Sequence, residues 1–281
     1  MKNPLFEDLS ASVSFALKED IGSGDVTAGL IDSTAVASAN ILLREDAIIC
    51  GQPWFDETFR QLDDSITVDW KIEEGSQQSA ETVICVIHGN ARHLLTAERT
   101  AINFLQTLSG TATVVRQYAD LLEGTNATIL DTRKTLPGLR LAQKYAVPFG
   151  GGENHRVGLY DRVLIKENHI AASGSISQAV AIAKQQQPDL KIEVETESLD
   201  EFRIALKTDA DIIMLDNFSL QDMATAVKEN KTEKSLEASG NVSLETVRDI
   251  AETGVDYISC GALTKDVKSI DFSMRFIDAM K

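Results

Sequence analysis

The sequence predicts an α/β protein whose second half is an α/β barrel of eight strands or fewer. Three observations carry this. After Gly110, short apolar runs at 128–131, 162–166, 191–195, 211–216, 234–239 and 257–260 alternate with helix-period segments, a repetition that specifies parallel strands joined by right-handed crossovers. No Gly-x-Gly-x-x-Gly follows the first of these runs, which disfavours a dinucleotide-binding sheet. Most telling, the runs stop at chemically useful residues: Asp131-Thr132-Arg133-Lys134, Lys166-Glu167-Asn168-His169, Glu193-Val194-Glu195, Asp216-Asn217, Ser239-Gly240-Asn241 and Ser259-Cys260-Gly261. Barrels assemble their active sites from the C-terminal ends of their strands.

The first half has a different grammar. Leu5, Leu9, Val13, Ala16 and Leu17 form a helix-period stripe, and Ile21-Gly22-Ser23-Gly24-Asp25 reads as its stop rather than as a dinucleotide loop. Strands are expected near 41–49, 66–72 and 82–88, with helices at 54–62 and 94–108. The order lacks strict β-α alternation, so this half reads as an open α+β layer domain. In the second half helices are expected at about 136–146, 176–187, 199–207, 220–229 and 244–252.

Composition narrows the function classes. The chain has 281 residues, enough for one or two domains. Its 27 Lys+Arg against 43 Asp+Glu give a net charge of −16, which argues against nucleic acid or an anionic membrane surface as the main partner. Cys50, Cys85 and Cys260 are widely spaced and show no Cys-x-x-Cys, so reduced thiols in a reducing compartment are expected. Neither a signal-peptide pattern nor a membrane-length apolar run is visible, and a cytoplasmic protein is expected.

Residues 131–169 run against the overall charge. Arg133, Lys134, Arg140, Lys144, Arg156, Arg162 and Lys166 outnumber Asp131, Glu153, Asp161 and Glu167 there, and Gly150, Gly151 and Gly152 break the chain. Arg133, Lys134, His155, Arg156 and Lys166 converge from two strand ends and this glycine-rich loop. Arginine matches carboxylate geometry bidentately, so the cluster suits a ligand with more than one carboxylate. Arg140 and Lys144 stand further back and could simply be solvated; His169 reads as structural. Glu195 and Asp216 end neighbouring strands, where they could accept from sugar hydroxyls or hold Mg²⁺ together with substrate phosphate oxygens. Glu193 shares parity with Glu195 and is the better candidate for a buried ion pair. Ser239-Gly240-Asn241 and Ser259-Cys260-Gly261 each precede an expected helix, an arrangement suited to a phosphate. Either alone is ordinary capping chemistry; adjacent copies on the last two strands point to one phosphomonoester held between them.

With these residues in hand the chain resembles the quinolinate phosphoribosyltransferase family. The resemblance runs nearly end to end, through 19–27, Glu98-Arg99-Thr100-Ala101, Asn103-Phe104-Leu105, Ser109-Gly110, the cationic stretch, Glu193-Val194-Glu195, Leu215-Asp216-Asn217, 237–241 and Gly261-Ala262-Leu263-Thr264. It implies an N-terminal α/β sandwich domain at 1–109, joined by 270–281, and an open or incomplete TIM-like α/β barrel at 110–269. It also implies a homodimer or higher oligomer with shared sites, and a decarboxylating transfer of phosphoribose to quinolinate with Mg²⁺. The implied quinolinate ligands are Thr132, Arg133, Lys134, His155, Arg156 and Lys166, with Arg99 contributed by a partner subunit. Those implied for phosphoribosyl pyrophosphate are Glu195, Asp216, Ser239, Gly240, Asn241, Ser259, Cys260 and Gly261, with Glu195 and Asp216 toward the metal. Lys134, Lys166, Glu195 and Asp216 are the implied catalytic set. Lys265 stands where some relatives have histidine, and Glu153 beside His155 has no evident role. Two other readings stay open: a paralogue acting on another acidic heterocycle, and a non-catalytic ligand-binding barrel.

Overall fold

The computed structural model describes residues 4–277; part of the expected 270–281 segment lies outside that range. In chain order the first half runs α1 (Leu9–Ile21), β1 (Val36–Leu43), β2 (Ala47–Ile48), α2 (Gln52–Leu62), β3 (Thr67–Trp70), β4 (Gln77–Gln78), β5 (Val83–Asn90) and α3 (Ala91–Leu121). The second half runs β6 (Thr128–Leu130), α4 (Arg140–Phe149), β7 (Val163–Ile165), α5 (Glu167–Ser173), α6 (Ile176–Gln186), β8 (Ile192–Thr196), α7 (Leu199–Ala205), β9 (Ile212–Asp216), α8 (Leu220–Glu229), β10 (Ser235–Ser239), α9 (Val247–Glu252), β11 (Tyr257–Ser259), α10 (Ala262–Lys265) and β12 (Phe272–Phe276).

Two compact units interleave along the chain. One takes 1–116, 136–150 and 266–281; the other takes 117–135 and 151–265. The linear division expected at 109/110 falls inside α3, which continues to Leu121.

The first unit is an α/β layer structure. Its main sheet has the order β12-β1-β5-β3, every pairing antiparallel. Burial alternates along β1, with Ala37, Ala39, Ile41 and Leu43 facing inward, as expected of a strand with one face on a core. Phe55 and Phe59 of α2 and Leu94, Ala97, Ala101 and Leu105 of α3 close on that face. Leu108 and Ala112 extend the α3 stripe into a second cluster with Val13, Leu17 and Trp54. The i, i+3, i+4 spacing of these residues makes α3 a core helix.

The second unit is a six-stranded parallel sheet in the order β6-β11-β10-β9-β8-β7. Consecutive strands are neighbours from β7 through β11, and the last strand pairs with the first, as in a closing barrel. The seam stays open between β6 and β7. The chain itself edges the seam: Glu153 bridges Leu130, donating its N–H to Ile129 O at 2.9 Å and accepting from Asp131 N at 3.2 Å. The expected incomplete barrel is thus an open one whose break lies after its first strand. Ser175, Ser198 and Ser219 start α6, α7 and α8 by accepting the N–H three residues on, the standard way to satisfy a first-turn donor. Among the described residues no helix is long and apolar enough to cross a membrane.

Candidate active site

All six strands of the second unit present their C-terminal ends along one edge. Their order there is β6, β11, β10, β9, β8, β7, so the sequence-distant ends of β6 and β11 stand side by side. Thr132 Oγ1 accepts Lys134 N–H at 3.0 Å, and Thr264 Oγ1 donates to Lys134 O at 2.9 Å. These bonds fix the turn after β6. The Lys134 side chain lies against Gly261 after β11, so a cation of the predicted acceptor cluster borders the predicted phosphate loop.

The middle of the edge is built from backbone. Gly240 (φ +99°) and Asn241 (φ +51°) are consecutive left-handed residues after β10, and Asn217 after β9 is left-handed as well (φ +55°). Asn217 N–H donates to Ser239 O at 2.9 Å, tying the two turns together. A Cβ at position 240 would stand 2.2 Å from Asn217 Oδ1, so both conformation and contact require glycine there. The helix expected from residue 244 begins at Val247. Its dipole is therefore too remote from Asn241 to help an anion, because that effect fades beyond the first turn. Consecutive left-handed residues such as Gly240 and Asn241 can instead turn backbone amides toward an anion. After β11, α10 follows Gly261 directly, and Cys260 is buried with its N–H on Leu130 O at 2.9 Å.

The β8 and β9 ends are acidic. Glu195, 8% exposed, forms an ion pair with Lys166 from β7. Burial raises the Glu195 pKa, Lys166 opposes this, and Asp216 and Glu167 push it further up. Carboxylates at adjacent strand ends, as Glu195 and Asp216 are, could hold a divalent cation. Asp216 also accepts from Asn217 Nδ2 at 2.8 Å.

On the basic side of the site, burial lowers the Arg156 pKa and the Arg133 and Arg162 charges lower it further, while Glu193 and Asp161 oppose them.

The predicted residues do not all stand where the sequence put them. His155 does not point out among the cations. It is 7% exposed, its Nδ1 accepts Arg156 N–H at 2.8 Å, and its Nε2 lies 2.9 Å from Glu193 and 3.4 Å from Glu237. Its own N–H donates to Asp131 Oδ1 at 2.8 Å. Burial alone would depress the ring's pKa, but Glu193 and Glu237 reverse this and set it at about 9. Against them, the Arg156 amide needs a lone pair on Nδ1. Protonating that nitrogen would face two N–H groups across 2.8 Å in a buried site, which works against that rise; the proton facing the carboxylates is on Nε2. Glu193 is fully buried, as a structural ion pair requires, and also meets Arg162 Nη1 at 3.3 Å. Lys144 is fully buried rather than solvated. His169 caps α5, its Nδ1 accepting Lys166 N–H at 3.0 Å. Arg99 is exposed on α3, in the other unit.

Sequence reasoning gave Glu237, Asp131 and Arg162 no role. One signal was available: a carboxylate inside an otherwise apolar strand, as in Leu236-Glu237-Ala238, must find a partner when buried.

Comparison with known proteins decides the family. The family model for the quinolinate phosphoribosyl transferase N-terminal domain matches residues 25–109, and that for the C-terminal domain matches 111–275. The chain belongs to the quinolinate phosphoribosyltransferase family. A probable nicotinate-nucleotide pyrophosphorylase (carboxylating) of Synechocystis sp. is 43% identical over 93% of this chain and 90% of that protein. The mitochondrial quinolinate phosphoribosyltransferase (decarboxylating) 2b of Nicotiana tabacum is 40% identical over 95% of this chain and 82% of its own. Among solved structures, the nicotinate-nucleotide pyrophosphorylase of Francisella tularensis superposes with a TM-score of 0.94 at 45% identity, covering 98% of each chain. The N-terminal match falls within the first unit, and the C-terminal match covers the open parallel sheet together with 136–150 and 266–275 of the first unit.

Proposed function

We propose that the C-terminal edge of the parallel sheet is where this phosphoribosyltransferase joins quinolinate to phosphoribosyl pyrophosphate, releasing nicotinate mononucleotide, pyrophosphate and CO₂ for de novo NAD biosynthesis. The observation that supports this best is the meeting of the β6 and β11 ends, where the Lys134 side chain lies against the turn at Gly261. Quinolinate carries two carboxylates, and arginine and lysine side chains gathered at these strand ends suit such a ligand.

In this reading Thr132, Arg133, Lys134, Arg156 and Lys166 hold quinolinate. The Gly240-Asn241 turn, Ser239, Ser259 and Gly261 hold the phosphoribosyl phosphate, with Cys260 buried behind them and its N–H on Leu130 O, while Glu195 and Asp216 face the ribose. The pyridine nitrogen attacks the anomeric carbon as its bond to pyrophosphate oxygen breaks. Positioning and electrostatics can carry this step, since the anomeric carbon develops positive charge beside the Glu195 and Asp216 carboxylates. The positive charge on the pyridinium nitrogen stabilises the electron pair left on the adjacent ring carbon when its C–C bond to the carboxylate breaks and CO₂ departs; a proton then bonds to that carbon. No side-chain nucleophile is needed. Mg²⁺ arriving with phosphoribosyl pyrophosphate would be held by Asp216 and by Glu195, the latter also paired with Lys166, and when bound it would neutralise the departing pyrophosphate. Arg99, exposed on α3, would complete the acceptor site of a second subunit in a homodimer or larger assembly.

Arg156→Ala tests the acceptor assignment. By calorimetry it should weaken quinolinate binding at least about 30-fold and leave phosphoribosyl pyrophosphate binding within about threefold. Equal loss of both ligands would reject the assignment.

A further inference from the structure

The barrel interior beneath the site holds a buried His155–Glu193–Glu237 cluster that the reaction above does not use. Glu193 and Glu237 are fully buried on β8 and β10, with β9 between them, and all three ligand-type atoms lie within 4.8 Å of one another. Such a trio could suit a cation, but Arg162 Nη1 already sits 3.3 Å from Glu193 and would repel one. Stability does not account for the cluster either, because well-packed apolar side chains in such a place commonly do as well or better.

The geometry above gives it another task. His155 opens the Arg156 segment, three residues after the last glycine of Gly150-Gly151-Gly152. Such a segment has more conformational freedom than the strands around it, and a guanidinium fork discriminates only when its backbone is held. His155 holds it from three sides: its amide on Asp131, Nδ1 on the Arg156 amide, and Nε2 against Glu193 and Glu237. Both ring nitrogens face protein groups.

We infer that His155, backed by Glu193 and Glu237, is a positioning residue that fixes the Arg156 backbone for carboxylate recognition and does not itself touch the substrate. This rests on the reading of Arg156 as a quinolinate ligand. Glu193 and Glu237 tether the loop to the sheet through the ring, so they act on acceptor affinity from below the site.

A double-mutant cycle in steady-state kinetics separates the possibilities. His155→Leu should raise the quinolinate KM at least about tenfold, with kcat within about threefold and the phosphoribosyl pyrophosphate KM within about twofold. His155→Asn, whose Oδ1 can replace the Nδ1 acceptor, should recover much of the loss, and Glu193→Gln should share the defect in milder form. In an Arg156→Ala background, His155→Asn and His155→Leu should have no further effect on quinolinate KM. A His155 effect that persists undiminished in that background would show direct substrate contact and overturn the inference. If Leu does not fold, as judged by its melting curve, the Asn variant carries the cycle. An Arg156→Ala enzyme with unaltered quinolinate KM would instead reject the underlying ligand assignment, and the inference with it.

Discussion

Gly240 is the residue where backbone and ligand chemistry meet most tightly. Its φ of +99° and the 2.2 Å approach that a Cβ would make to Asn217 Oδ1 leave no side chain an untroubled place. If the Gly240-Asn241 turn holds the phosphate as proposed, Gly240→Ala should push the β9 and β10 turns apart and raise the phosphoribosyl pyrophosphate KM at least about tenfold, with the quinolinate KM much less affected. Initial rates at varied concentrations of each substrate would check it. The importance of Gly240 was legible in the sequence, because Ser239-Gly240-Asn241 sits where a strand must turn at a site edge. The environment of His155 was not. Its partners come from two strands with a third between them, and only the curvature of the sheet brings those carboxylates to one ring.

At the scale of elements, the strand ends were readable because each β-branched or apolar run stops abruptly at polar residues, and parallel strands buried on both faces have little other reason to do so. The length of α3 was not. The helix expected at 94–108 runs on through Ser109-Gly110 to Leu121. Gly110 is there for packing: a Cβ would stand 2.2 Å from Lys268 O. Ser109 Oγ meanwhile accepts Cys50 N–H at 3.0 Å and donates to Cys50 O at 3.1 Å, a contact between residues far apart in sequence. The start of α2 shows similar non-local capping. Glu74 accepts Gly51 N–H at 2.8 Å, Gln52 N–H at 3.3 Å and Tyr145 O–H at 3.0 Å. A carboxylate also suits the positive end of that helix. Glu74→Ala should cost about 2–3 kcal/mol through lost capping and unsatisfied donors, seen as a shift in the urea midpoint with little change in slope.

At the scale of the whole molecule, a protein of net charge −16 must recognise two anionic substrates. Its own field repels them, so affinity has to come from local cations and turned amides, which are less screened than surface charges once a ligand covers them. No local pattern points to the role proposed for Arg99, because an exposed arginine on a helix looks ordinary. If sites are shared between subunits, inactive Arg99→Ala and Lys134→Ala proteins should recover roughly a quarter of wild-type activity per site when mixed and allowed to exchange, as random pairing in a dimer would give. Absence of recovery despite proven exchange would count against sharing.

The central claim, a decarboxylating transfer to a dicarboxylate, is tested most directly by turnover with carboxyl-labelled quinolinate, phosphoribosyl pyrophosphate and Mg²⁺, with nicotinate as the parallel acceptor. Expected are equal amounts of labelled CO₂, pyrophosphate and nicotinate mononucleotide from quinolinate and no product from nicotinate. Product from nicotinate without CO₂ release, or no turnover of quinolinate, would contradict it.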